Sequence, residues 1–207
     1  MKHPIVLASS LLFMAATTLV QAAPAVQGDA AKAQSIVNNV CGACHGTDGN
    51  STSPAYPSLA GQHPEYLFKQ LTEFKAGDRK NAIMAPNVTK LSQADMRNLA
   101  AYFAAQQPKP RPARDAALLA EGQKLYKGGN PGSGVPACAA CHGPAGAGIP
   151  TQFPRLAGQH GKYALAQLKN FRSGDRANDG GMMMQIIARK MTDREMAAVA
   201  EYISGLR

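Results

Sequence analysis

Cysteine is scarce in this chain. There are four, all in the same five-residue pattern, so none is left over as an extra thiolate ligand. Acidic residues are also few, 13 against 22 Lys and Arg. Past residue 22 no segment approaches the roughly 20 consecutive apolar residues of a membrane span, which leaves no later span to expect. No alternation of apolar and polar residues of the kind that marks strands is present, which argues against a β-class fold. No dense basic run appears, so nucleic acid is a poor partner for the positive charge.

What is present is Cys-x-x-Cys-His written twice, as Cys41-Gly42-Ala43-Cys44-His45 and Cys138-Ala139-Ala140-Cys141-His142. The pattern reads as two c-type haem attachment sites. Two thiols one helical turn apart can each form a thioether to a vinyl group of one porphyrin, and the next residue offers an imidazole to the iron. Zinc would accept four such thiolates, but nothing in zinc chemistry requires a His directly after both pairs. A thioredoxin-like dithiol needs a surrounding strand-helix-strand pattern, which is lacking. Two covalently bound haem c groups are therefore expected, on Cys41, Cys44, Cys138 and Cys141.

The first 22 residues carry Lys2, an apolar run from Ile5 to Val20 and the small-residue site Val20-Gln21-Ala22. This is the pattern of a cleaved secretory signal peptide, 1–22, and it places the mature protein in the periplasm. The remainder contains an internal repeat. Tyr56-Pro57-Ser58-Leu59-Ala60-Gly61-Gln62-His63 returns 97 positions later as Phe153-Pro154-Arg155-Leu156-Ala157-Gly158-Gln159-His160. Tyr66, Gln70, Leu71, Phe74, Gly77, Asp78 and Arg79 return at the same offset as Tyr163, Gln167, Leu168, Phe171, Gly174, Asp175 and Arg176. A period this long is a domain duplication, not a solenoid. The expected domains are 23–105 and 115–207, joined by a linker, 106–114, that prolines at 108, 110 and 112 keep extended.

Both halves read as helical, so the fold class is all-α. Ala33, Ile36, Val37 and Val40 fall at helical spacing before the first haem motif, and Leu118, Gly122, Leu125 and Tyr126 before the second. Ser92-x-x-Asp95 and Thr192-x-x-Glu195 open the closing helices as capping boxes. Domains of this size bury little apolar surface on their own, and the haem is expected to complete each core.

For the second axial ligand the candidates are methionines and the repeated His63 and His160. Aligned on the closing helices the offset becomes 100, which pairs Met84 with Met184 and sets Met182 and Met183 opposite Ala82 and Ile83. Three residues have therefore been added between Arg176 and Met184. The repeat favours Met84 and Met184, with Met182 and Met183 as alternatives in the second half. Repeat symmetry alone also permits bis-histidine ligation. Met96, Met196 and Met191 read as core. A thioether ligand raises the reduction potential above that of a second imidazole, and six filled positions leave no place for a substrate.

The chain resembles the dihaem cytochromes of the cytochrome c4 family. The resemblance runs through two CxxCH domains, the Leu-Ala-Gly-Gln segments, the Gly-Asp-Arg turns, the late methionines and the closing helices. It implies two class I cytochrome c domains facing each other about a pseudo-twofold axis. It implies His45 and Met84 on one iron, His142 and Met184 on the other, and the carbonyls of Pro57 and Pro154 against the two imidazoles. It implies an electron carrier that is not an enzyme and takes no small-molecule substrate, with a bc-type complex as donor and a terminal oxidase as acceptor. The runner-up is a dihaem subunit of a periplasmic dehydrogenase, such as a flavin-containing sulfide dehydrogenase, or a thiosulfate-oxidising protein. A catalytic version of the latter would be expected to use a cysteine or other unusual iron ligand at one haem, and this chain has no cysteine to spare. The stretch Gly128 to Val135 has no counterpart before the first haem motif.

After the signal the charge is 21 basic against 13 acidic residues. Residues 23–107 hold 7 basic and 6 acidic, 108–114 add three basic, and 115–207 hold 11 and 7. The linker and second domain form the basic side, which suits an acidic docking patch or peripheral attraction to an anionic membrane, both weakened by salt.

Overall fold

A computed structural model describes residues 26–113 and 115–206; the expected signal peptide, 1–22, lies outside them. In the first half, Asp29 caps α1 (Ala30–Ile36), accepting a hydrogen bond from Ala31 N. That helix runs through a π-turn, Val37–Cys41, into α2 (Gly42–His45). Then come α3 (Pro64–Ala76), α4 (Met84–Val88) and α5 (Gln93–Ala104). The second half repeats the order as α6 (Ala116–Gly128), α7 (Ala139–His142), α8 (Gly161–Ser173), α9 (Met183–Arg189) and α10 (Asp193–Gly205). Among the described residues β structure is limited to two isolated bridges, Asn130 with Val135 and Ile149 with Phe153.

Local chemistry sets these boundaries. Both capping boxes form, Ser92 with Asp95 and Thr192 with Glu195, and each satisfies two otherwise unpaired helix N–H groups. Helices α3 and α8 stop at Gly77 and Gly174, both at φ 87, a left-handed conformation that costs glycine no steric penalty. One sequence expectation shifts. Val40 does not share the buried face of Ala33 and Val37 but is 41% exposed, because the wider π-turn rotates it out of the 3.6-residue register. In the second half the Gly128–Val135 stretch separates α6 from α7, and Asn130 ties it to the closing helix by donating to Glu195 Oε1 at 2.7 Å.

Each half has its own core. Leu67, Phe74, Val88, Met96, Leu99 and Phe103 dominate the first; Leu125, Tyr126, Phe171, Met191, Met196, Val199 and Ile203 dominate the second. The opening and closing helices cross closely. A Cβ on Gly122 would lie 2.0 Å from Ala198 O, and one on Gly28 2.2 Å from Arg97 O.

The two halves grip each other reciprocally. Gln62 accepts from Arg155 N at 2.8 Å and donates to Arg155 O at 2.9 Å. Its repeat partner Gln159 accepts from Ser58 N at 2.9 Å and donates to Ser58 O at 3.0 Å. Between α3 and α8, buried Arg79 donates to Gln70, Tyr163 and Gln167, while buried Arg176 donates to Gln167, Tyr66 and Gln70. Each guanidinium also stacks over a phenylalanine of its own domain at 4.5 Å, Phe74 or Phe171. The linker is extended and also tied down. Arg111 donates to Ser51 O and Ser58 Oγ of one domain and Gly158 O of the other, and Lys109 pairs with Asp48 at 2.7 Å. That ammonium, with the Asn50 N–H, holds the Asp48 carboxyl down at about 2.

Two outcomes follow for the haem-loaded protein. Gly122→Ala should cost about 1–3 kcal/mol by overpacking in denaturant unfolding, whereas Gly128→Ala, with open space around its Cβ, should be neutral or slightly stabilising. Gln159→Leu should strand both backbone groups of Ser58, at about 1–3 kcal/mol each, and split one calorimetric transition into two domain transitions.

Candidate haem-attachment sites

Each Cys-x-x-Cys-His segment is a single helical turn, so its two cysteines and its histidine come from one short rigid piece of backbone. His45 and His142 end α2 and α7 and are 7% and 8% exposed. Twelve residues on, a backbone carbonyl meets each ring: Pro57 O lies 2.8 Å from His45 Nδ1 and Pro154 O 2.9 Å from His142 Nδ1. Both prolines lie outside any helix or strand, so their carbonyls are free to accept. With Nδ1–H donating to the carbonyl, Nε2 of each ring is left with the lone pair that a metal could take. An aromatic edge braces each ring from the repeated position, Tyr56 at 6.4 Å and Phe153 at 6.2 Å between centroids.

Burial pushes both histidines below the ordinary imidazole pKa, opposed by the hydrogen bond to the proline carbonyl. The rings are therefore neutral at pH 7, the form in which imidazole binds a metal. All four cysteines are unpaired and half-buried. Burial drives the Cys41 and Cys138 thiols up to about 11, so neither is a thiolate at neutral pH. Among the described residues no three His, Cys, Asp or Glu side chains converge to hold a bare metal ion. The two cysteine pairs belong to separate domains and do not assemble one zinc site. The donor set fits covalent haem: two thiols and an oriented, neutral imidazole on one turn.

Met84 opens α4 and Met184 lies in the first turn of α9, each half-buried and packed against its own domain core. Met182 and Met183 point the other way, 47% and 41% exposed. Met96, Met191 and Met196 are buried core residues. His63 and His160 stand at the N-caps of α3 and α8. Of the two, His160 faces the other domain. It is at a helix entry but buried, with Nε2 2.9 Å from Ser51 O of the other domain. His63 turns Nε2 toward Gly148, the repeat counterpart of Ser51, beside the Ala147 backbone.

Sequence reasoning did not assign the domain interface to Tyr66, Tyr163, Gln62, Gln159, Gln70, Gln167, Arg79 and Arg176. A signal was available, because polar side chains of unchanged identity recurred in register where a helical fold alone requires only apolar ones.

Residues 30–107 and 119–207 each match the cytochrome c family. Cytochrome c4 of Thiocapsa roseopersicina is 47% identical over 188 residues, covering 90% of this chain and 97% of that protein. A thiosulfate dehydrogenase electron acceptor of Thiomonas intermedia is 40% identical over 168 residues, covering 80% of this chain and 77% of that protein. Among solved structures, reduced recombinant cytochrome c4 from Pseudomonas stutzeri superposes with a TM-score of 0.84 at 44% identity, covering 87% of this chain and 100% of that one.

Proposed function

The chain belongs to the dihaem cytochrome c4 family, and on that premise we propose that it is an exported carrier, working in the periplasm between a bc-type complex and a terminal oxidase. It is an electron-transfer cytochrome with two covalently bound haem c groups, and not an enzyme. When bound, the haems supply irons that change between ferric and ferrous without making or breaking substrate bonds.

The chain's own residues prepare that role. Cys41 with Cys44, and Cys138 with Cys141, anchor the two groups. His45 and His142 serve as proximal ligands, each aimed by a proline carbonyl. Met84 and Met184 complete the two sites in this reading, and their inward packing, against the outward Met182 and Met183, supports the choice. Thioether ligands favour the reduced iron and so a high potential. The observation that carries the proposal is the duplicated imidazole–carbonyl pair, since two sites built alike suit passing one electron on rather than dividing labour between a redox site and a substrate site.

A second reading is favoured by one observation, the similarity to the thiosulfate dehydrogenase electron acceptor. In it the chain takes electrons from a periplasmic dehydrogenase and is not itself the catalyst. Export is the expectation from residues 1–22, and the test is release of the mature protein by osmotic shock.

The oxidised protein should contain two haems per chain and show the weak red charge-transfer band of thioether sulfur on ferric iron at two-site intensity. Met184→Leu should halve that band, while Met182→Leu and Met183→Leu leave it intact. A full band in Met184→Leu would move the ligand to a neighbouring methionine. Electron exchange with a purified bc-type complex and terminal oxidase, compared with a thiosulfate dehydrogenase, separates the two physiological readings.

A further inference from the structure

The duplication supplies an internal control, because a surface feature needed only for folding should recur in both halves. One does not. The three residues added between Arg176 and Met184 lengthen the approach to α9, and the structure divides that segment between two tasks. Asn178 turns inward across the interface, donating to Gln70 at 3.0 Å and Glu73 at 2.6 Å and accepting from Lys69. Asp179 accepts from both the backbone and side-chain N–H of Gln185, fixing the start of α9. Gly181 and Met182 then take consecutive left-handed conformations, with Met182 at φ 57.

A methionine is strained in that region, and a glycine would not be. Met182 is the one non-glycine residue at positive φ among the described residues. The strain brings Met182 to the surface at 47% exposure, beside Met183 at 41% and Ile186 at 48%. Arg189 and Lys190 follow, exposed, at the C-terminal end of α9, where the Lys190 ammonium also donates to Gly134 O at 3.2 Å. The corresponding positions in the first domain are Ala82, Ile83, Pro86, Thr89 and Lys90, where Ile83 is the one exposed large apolar residue. The second domain thus presents three exposed large apolar residues where the first presents one, and an arginine where the first has Thr89, at the segment that holds Met184.

Exposed large apolar groups next to cations mark a contact surface. Methionine in particular adapts to partner surfaces of differing shape. Membrane-surface patches rely on Trp, Phe or Leu and on clusters of about four to eight basic residues; this face has neither.

We infer that the Met182–Met183–Ile186 face of the second domain is the docking site for a redox protein whose contact surface has an apolar centre and a carboxylate rim, and that electrons are exchanged with that partner through this domain. The inference rests on the carrier reading above. Charge complementarity names the rim: Arg189 and Lys190 border the patch, and residues 115–207 carry 11 basic against 7 acidic residues while 23–107 are nearly balanced. The small patch suits a brief encounter, and electron-transfer complexes occupy the low end of interface size. The side chain of Met184, one residue beyond Met183, turns into the core, so a partner seated here lies against the segment that carries the proposed iron ligand.

The test uses the haem-loaded protein and three variants, M182N/M183S/I186S, I83S and R189Q/K190Q. Asparagine is chosen at 182 because it tolerates the left-handed conformation. Stopped-flow second-order rates are measured across salt concentrations against a purified bc-type complex, terminal oxidase and thiosulfate dehydrogenase. An unchanged red charge-transfer band and unchanged exchange with a small inorganic redox complex show that each variant keeps its iron ligands. The expected result is a loss of about tenfold or more with at least one partner for the triple variant, less than about twofold for I83S, and a flatter salt dependence for R189Q/K190Q. Equal effects of the triple variant and I83S, or no effect of either, with partners that the wild type does reduce or oxidise would overturn the docking face and leave the carrier reading standing. Loss of binding to anionic phospholipid vesicles with protein exchange unchanged would overturn it in favour of a membrane contact. A wild type that exchanges electrons with none of the three overturns both readings.

Discussion

The imidazole of each haem-attachment turn is held by a backbone carbonyl that lies next in sequence to a residue gripped by the other domain. Pro57 O receives His45 Nδ1, and the following residue, Ser58, exchanges two hydrogen bonds with Gln159. Pro154 O receives His142 Nδ1, and the following Arg155 exchanges two with Gln62. The orientation of the imidazole and the docking of the domains therefore depend on the same few backbone atoms. A disturbance of the interface is a disturbance of the imidazole, which is how a purely structural contact reaches the haem-attachment turns.

The interface is polar where a hydrophobic seam would have been simpler. Two guanidiniums are buried between α3 and α8, met by amide and phenol oxygens and by phenylalanine faces. Taking charges out of water is costly, and neutral acceptors only partly offset the cost. What such groups supply is geometry, since a planar fork with fixed donors accepts few arrangements. For two domains that must keep two redox sites in a constant relation, one allowed docking is worth more than a tighter but sliding apolar contact. The linker adds to this by lying across the seam, with Arg111 bonded to both sides.

The main departures from twofold symmetry are local, and of these only the π-turn, which ends at Cys41, reaches a haem-attachment turn. The π-turn before α2 is replaced by the Gly128–Val135 loop before α7. The added residues before α9 reach across to α3 with Asn178 and push Met182 outward. The haem-attachment turns and their proline carbonyls stay alike while the surfaces diverge, as expected if both domains keep one chemistry and only their partners differ.

Much of this was legible in residue order because its causes are local. Attachment chemistry needs two thiols and an imidazole on one helical turn, so five residues suffice to declare it. Capping boxes, glycine stops and the 3.6-residue apolar period are likewise short-range, and the duplication is visible as repeated text. Met84 and Met184 could be paired by counting, which favoured Met184 over Met182 and Met183, and packing agrees by turning Met184 inward and the other two out. Val40 escaped its face because a π-turn depends on the hydrogen-bond register of the folded helix, which periodicity does not encode. His160, the repeated glutamines and the two arginines found their roles only in the tertiary structure. Their partners lie roughly a hundred residues away in the chain, and a polar side chain does not reveal from its own neighbours whether it faces water or a second domain.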